Sequence, residues 1–177
     1  MNKRKNLFHN TGFTLIELVV VFTVMAILST IGVASFVSYS RSQALDQAAN
    51  DLVQALNTAK SLSASQLKSV SKNNVTLQCS NQTLHGYGVQ IIKNANPKYY
   101  ALYIQCVNSN SQLGPIVSDP KLQVPIPTDI TLTTSVTSVF FPILSGGIVS
   151  DGDSITLSSY GNTKTINLTN GYISISP

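Results

Sequence analysis

From Phe13 to about Val37 the chain carries no charged side chain except Glu17, and a leader containing Lys3, Arg4 and Lys5 stands directly ahead of this run. At about 1.5 Å per helical residue the run is roughly 36 Å long, against about 30 Å for the hydrocarbon core of a bilayer. A chain with such a segment is expected to be inserted in a membrane at some stage. The cations of the leader assign its end to the cytoplasmic side. The mixed charges beyond the run, Arg41, Asp46 and Asp51, leave the bulk of the chain facing outward.

Glu17 needs a reason, because a carboxylate in an apolar helix costs on the order of 3 kcal/mol at mid-bilayer unless it finds a partner. If the chain is cut after Gly12, Phe13 carries a free α-ammonium one helical turn from Glu17, and the amine of a neighbouring copy would serve as well. A carboxylate in the first turn also meets the positive end of the helix dipole. The alternative, an unpaired Glu17 reaching to the headgroups, leaves the glycine before the run unexplained. A conventional secretory signal cut after Gly32-Val33-Ala34 would have an apolar region far beyond the usual stretch of about 7 to 15 residues. A plain single-pass anchor accounts for neither Gly12 nor Glu17.

Beyond the run, Leu45, Ala48, Leu52, Ala55 or Leu56, Ala59, Leu62 and Gln66 or Leu67 recur at three- and four-residue spacing. The spacing predicts one helix from Phe13 to about Leu67, apolar all round in its first half and amphipathic in its second. Gly32 is its only glycine and a place where it can bend. From about Asn73 the period becomes two, and strands are expected at Val75 to Cys79, Gly86 to Lys93, Tyr99 to Val107, Ile130 to Thr134, Ser138 to Phe141, Ser154 to Ser158, Thr163 to Leu168 and Tyr172 to Ser176. Asn170-Gly171 supplies a two-residue hairpin turn. Across it Ile166, Leu168, Ile173 and Ile175 face one way, and Thr165, Asn167, Ser174 and Ser176 the other. The segment from Ser109 to Thr128, with Pro115, Pro120, Pro125 and Pro127, reads as a surface connection with room for an edge strand. The fold class is α+β, a long helix packed on an antiparallel β-sheet domain. It divides into a leader (1–12), a transmembrane and assembly helix (13–37) and an outward domain (38–177), the last made of helix 38–67 and sheets 73–177.

Little in the outward part suggests chemistry. His85 has no second histidine near it and no nucleophile motif, His9 is lost with the leader, and hydrolytic catalysis has no visible constellation. His85 reads as a strand-edge residue. Asp151-Gly152-Asp153-Ser154 offers oxygen ligands but lacks the rest of a calcium loop, and reads as a tight turn. No cofactor or metal is implied. Lys93, Lys98, Tyr99, Tyr100 and Tyr103 mix cations and rings as a single-strand nucleic-acid surface would, although tyrosines in an alternating strand are more often core and rim. The net charge of +4 owes much to the leader: losing Lys3, Arg4 and Lys5 takes Lys+Arg from 11 to 8 against 7 acidic residues, a net of +1. The balance therefore weighs against a nucleic-acid partner. Cys79 and Cys106 lack metal or redox spacing and lie in strand-like segments, leaving a bridge between neighbouring strands or two buried thiols.

Gly12-Phe13-Thr14-Leu15-Ile16-Glu17-Leu18 resembles the class III signal peptide of type IV pilins and type II secretion pseudopilins. The resemblance implies cleavage between Gly12 and Phe13 by a prepilin peptidase, N-methylation of Phe13, and assembly with other pilins through the apolar helix on an inner-membrane platform. Glu17 would pair with the amino terminus of an adjacent subunit. The implied location is the inner membrane, single-pass, and then a filament, with a structural rather than an enzymatic role and the pilin fold. Val75-Thr76-Leu77, Gly86-Tyr87-Gly88-Val89, Val139-Phe140-Phe141-Pro142 and Asn170-Gly171-Tyr172-Ile173 further resemble the H-type pseudopilins and related T-type minor pilins. This chain has His85 where a related member has Trp. Some T-type members bind DNA through arginines near the C-terminus; here that region reads Gly161-Asn162-Thr163-Lys164, and no arginine follows Arg41. The rival reading of the outward domain is a filament-tip module that captures DNA for uptake or a secreted substrate.

Overall fold

The structure, a computed structural model, describes residues 12–72, 75–79, 82–108, 112–114, 116–143, 145–169 and 171–177, without the side chains at 30–32, 34, 70, 72 and 75. Lys3, Arg4, Lys5, His9, Asn73, Ser109, Pro115 and Asn170, all used in reading the sequence, lie outside the described residues. The chain forms two compact units, one ending at Ser40 and one comprising Arg41–Pro177.

One helix, α1 (Leu15–Ala64), belongs to both units. Within the second unit its buried positions are Leu45, Ala49, Leu52, Leu56, Ala59 and Ser63, a strict alternation of four- and three-residue steps that keeps one narrow stripe on the sheets. Ala49 therefore takes the place expected of Ala48, which flanks the stripe half-buried with Ala55 and Leu62. The helix stops short of Leu67 because Gln66 turns to a positive φ of 54°, the left-handed conformation that terminates helices. Gln66 and Leu67 are accordingly exposed, not part of the stripe.

Among the described residues eleven strands follow. β1 (Ser69–Lys72) and β2 (Val75–Gln78) form a small antiparallel pair. β3 (Thr83–Ile92), β4 (Tyr99–Val107), β5 (Val117–Pro125), β7 (Ser138–Pro142) and β8 (Val149–Ser150) form a sheet in the order β5-β4-β3-β7-β8. β6 (Thr131–Thr134), β9 (Ser154–Ser159), β10 (Asn162–Thr169) and β11 (Tyr172–Ser176) form another, in the order β11-β10-β9-β6. This is the expected α+β architecture of an N-terminal helix packed on antiparallel sheets. The proline-containing connection supplies a full edge strand, β5, which tolerates Pro120 and Pro125 because it has a neighbour on one side only. Between β10 and β11, Ile166 and Leu168 are buried and Ile173 half-buried, as their alternation predicts, whereas Ile175 is left exposed near the end of an edge strand.

The helix stripe, Tyr87, Val89 and Ile91 of β3, Phe141 of β7, and Ile155, Leu157, Ile166 and Leu168 of the second sheet share one hydrophobic core. Burying each such side chain stabilises the fold by about 1.5–3 kcal/mol. Ser63 ends the stripe as a polar pin: its hydroxyl accepts from the Tyr87 N–H (2.9 Å) and donates to the Phe141 carbonyl (2.7 Å). On the opposite face of β3, Phe140 lies stacked between Tyr103 (6.2 Å) and His85 (5.0 Å). Gly86 and Gly88 make room for this row. A Cβ at Gly88 would stand 2.4 Å from the Tyr103 ring, and one at Gly86 2.2 Å from the Phe141 carbonyl oxygen.

Candidate functional site

The described side chains of the segment that distinguishes this sequence are exposed. Gly12, Phe13 and Thr14 are non-helical, and α1 begins at Leu15, two residues later than expected. The reason is an N-cap. Thr14 Oγ1 accepts a hydrogen bond from the Glu17 N–H (3.3 Å), and the Thr14 carbonyl accepts the first intrahelical bond from Leu18 (3.2 Å). A cap of this kind stabilises a helix terminus by about 1 kcal/mol. Thr14-Leu15-Ile16-Glu17 has the spacing of a capping box, and that spacing could have located the start of the helix from the sequence alone. Glu17 thereby occupies the first turn, where the helix dipole favours a negative charge.

Around this start the apolar side chains stand open. Phe13 and Leu15 are each 82 % exposed, and Phe22, Met25 and Leu28 are exposed as well. The hydroxyls among them are satisfied inside the helix: Thr23 Oγ1 donates to the Val20 carbonyl (2.8 Å) and Ser29 Oγ to that of Met25 (2.7 Å), so neither demands water. Among the described residues no helix is long and apolar enough to cross a membrane. The side chains at 30–32 and 34, inside the apolar run, lie outside the described residues. Among the described residues a Cβ at Gly12 would meet nothing within 4 Å.

The other candidate residues are used structurally. Tyr100 and Tyr103 are core residues, 5 % and 2 % exposed, and burial pushes both hydroxyls up to about 12, with Asp51 adding to the shift at Tyr100. Tyr99 is half-buried, and Lys93 Nζ donates to the Thr134 carbonyl (2.9 Å). These residues therefore do not form the stacking platform that single-stranded nucleic acid requires. Lys164, the cation of the C-terminal hairpins, is 3.0 Å from Asp46.

His85 is not at a strand edge. It occupies the register shift between Leu84 and Gly86 in β3, which has neighbours on both sides, and its Nδ1 is buried without a hydrogen-bond partner. The Asp151 carboxylate accepts from the Thr137 N–H (2.9 Å), the Thr137 hydroxyl and the Ser138 N–H (3.4 Å). Desolvation raises its pKa, but these hydrogen bonds outweigh it and hold the carboxyl below its ordinary value. Among the described residues no group of three His, Cys, Asp or Glu side chains is placed to hold a metal. Cys79 and Cys106 are joined as a disulfide with Cα atoms 5.7 Å apart, linking the end of β2 to β4.

Residues 7–33 match the prokaryotic N-terminal methylation motif. No curated protein and no solved structure matches the chain.

Proposed function

We propose that this chain, which its N-terminal methylation motif identifies as a member of the type IV pilin-like family, is a minor pilin or pseudopilin: a structural subunit that enters the inner membrane, loses residues 1–12 and joins a filament. The observation that carries the reading is Gly12. Among the described residues nothing stands within 4 Å of where its Cβ would be, so no contact seen there calls for a glycine. A requirement of the enzyme that cuts after it accounts for the residue. Gly12, Phe13 and Thr14 are exposed and non-helical, which suits access by a prepilin peptidase to the Gly12–Phe13 bond.

Phe13, once freed and methylated, carries a cationic amine beside the first turn of α1, and Glu17 is the acidic residue of that turn. Pairing of Glu17 with the amine of a neighbouring subunit neutralises two charges that are both unfavourable in hydrocarbon. The exposed apolar side chains from Phe13 onward are then covered, first by lipid and then by the helices of other subunits. The outward domain, residues 38–177, is proposed as the part displayed on the filament. The finer likeness to H-type pseudopilins rests on the Gly86-Tyr87-Gly88 strand and its aromatic cover and on the C-terminal hairpins.

Glu17→Ala tests the reading. The variant is expected in the membrane fraction at wild-type level or above, and absent from sheared filaments. Equal entry of variant and wild type into filaments would contradict it.

A further inference from the structure

The two larger sheets present four edges, and three of them are guarded. β5 carries Pro120, Pro125 and Lys121 and a register irregularity against β4; β8 is two residues long; and the carbonyl of Thr134 in β6 is taken by Lys93. Such devices are how proteins prevent strand addition. Along β11 (Tyr172–Ser176) no such device covers Ile173–Ser176; Lys60 bonds only the Gly171 carbonyl ahead of the strand (2.6 Å) and lies 6.0 Å over the Tyr172 ring. The strand holds no charge and no proline, and it lies at the end of its sheet with Tyr172 78 % exposed.

Its open hydrogen-bonding groups follow from the register. Leu168 donates its N–H to Asp153, on the β9 side, so Leu168 and Ile173 form a non-hydrogen-bonded pair across the β10–β11 hairpin. The same phase makes Leu168's neighbours bond to β11 and turns the N–H and C=O of Ile173 and Ile175 out of the sheet. Two such residues separated by one are self-complementary. In an antiparallel pair of identical strands, Ile173 of one copy exchanges two hydrogen bonds with Ile175 of the other, and Ser174 faces its own counterpart across the two-fold axis. The strand itself carries no charge; the nearest cation, Lys60, is held on the Gly171 carbonyl ahead of the paired residues. We propose that β11 is a docking edge for a second copy of this chain, which joins antiparallel to form one eight-stranded sheet from two four-stranded ones. The inference rests on the sheet edge alone and is independent of which filament the chain serves.

A single-cysteine variant tests it cleanly, because Cys79 and Cys106 are bonded to each other and no free cysteine is present among the described residues. Non-hydrogen-bonded antiparallel pairs place Cα atoms about 4.5 Å apart, within the range a disulfide spans. Full-length Ser174→Cys in membranes, exposed to a mild oxidant, is expected to give a dimer that reductant dissolves. Ser118→Cys, exposed on the guarded β5 edge, is expected to stay monomeric. Adding Ile175→Pro to Ser174→Cys removes one outward N–H and no bond to β10, and should abolish the dimer while thermal unfolding stays near that of wild type. A monomeric Ser174→Cys, equal cross-linking at Ser118, or a dimer that survives Ile175→Pro would each overturn the proposal. The last outcome would assign the contact to collision or to another partner surface.

Discussion

Ser63 lies where the helix stripe would otherwise have closed on an apolar residue. Its hydroxyl serves the Tyr87 N–H and the Phe141 carbonyl at once, both on strands buried beneath the helix. Ser63→Ala removes one partner from each and leaves them buried, so the variant should lose about 1–3 kcal/mol of unfolding free energy, measured by denaturant titration. A change within about 0.5 kcal/mol would show that the two strands pair directly without it. Asp151 acts at the same scale. Its carboxylate ties down Thr137 and Ser138, and its folded pKa is lowered relative to the unfolded chain. The stabilisation is therefore present above an ordinary aspartate pKa of about 3.9 and is lost as pH falls through the lower folded value. Wild type should lose melting temperature through this acidic window more steeply than Asp151→Asn does; parallel profiles would contradict the assignment.

At the scale of elements, the start of α1 separates two roles that the motif superimposes. Thr14 caps the helix through the Glu17 N–H, a bond the Glu17 side chain does not make. Thr14→Ala should cost about 1 kcal/mol of local helix stability, seen as faster amide exchange at Glu17 and Leu18, and still permit assembly. Loss of filaments with Thr14→Ala as complete as that predicted for Glu17→Ala would mean that the cap, not the charge, drives assembly. The sequence made most of these elements legible. The helix follows its period of about 3.6, and Tyr99–Val107 and Tyr172–Ser176 fall where alternation of period two puts them. Two features are illegible for physical reasons, and one is only partly legible. Ala48 and Ala49 are chemically identical, so only the register of the stripe decides which one is buried. β5 is foreshadowed as room for an edge strand, but not in its extent, because its prolines signal a loop and are tolerated only at a sheet edge. His85 reads as peripheral in the sequence because nothing local announces a bulge in a strand paired on both sides. The tyrosines near Lys93 and Lys98 carry either meaning in a sequence, and burial decides for the core.

For the whole molecule, the division is between an N-terminal segment whose described apolar side chains are largely exposed and a second unit with a core of helix and two sheets, a disulfide and no assembled reactive cluster among its described residues. On the proposed reading such a segment is covered by membrane and then by fellow subunits, and the methylation motif matched at residues 7–33 supports that reading. The central claim is that residues 1–12 are a leader removed on the way to a filament. Mass spectrometry of the mature protein from its host tests it most directly. The account predicts an N-terminal peptide beginning at Phe13 and heavier by one methyl group; an N-terminus at Ser35, or an intact leader in assembled material, would contradict it.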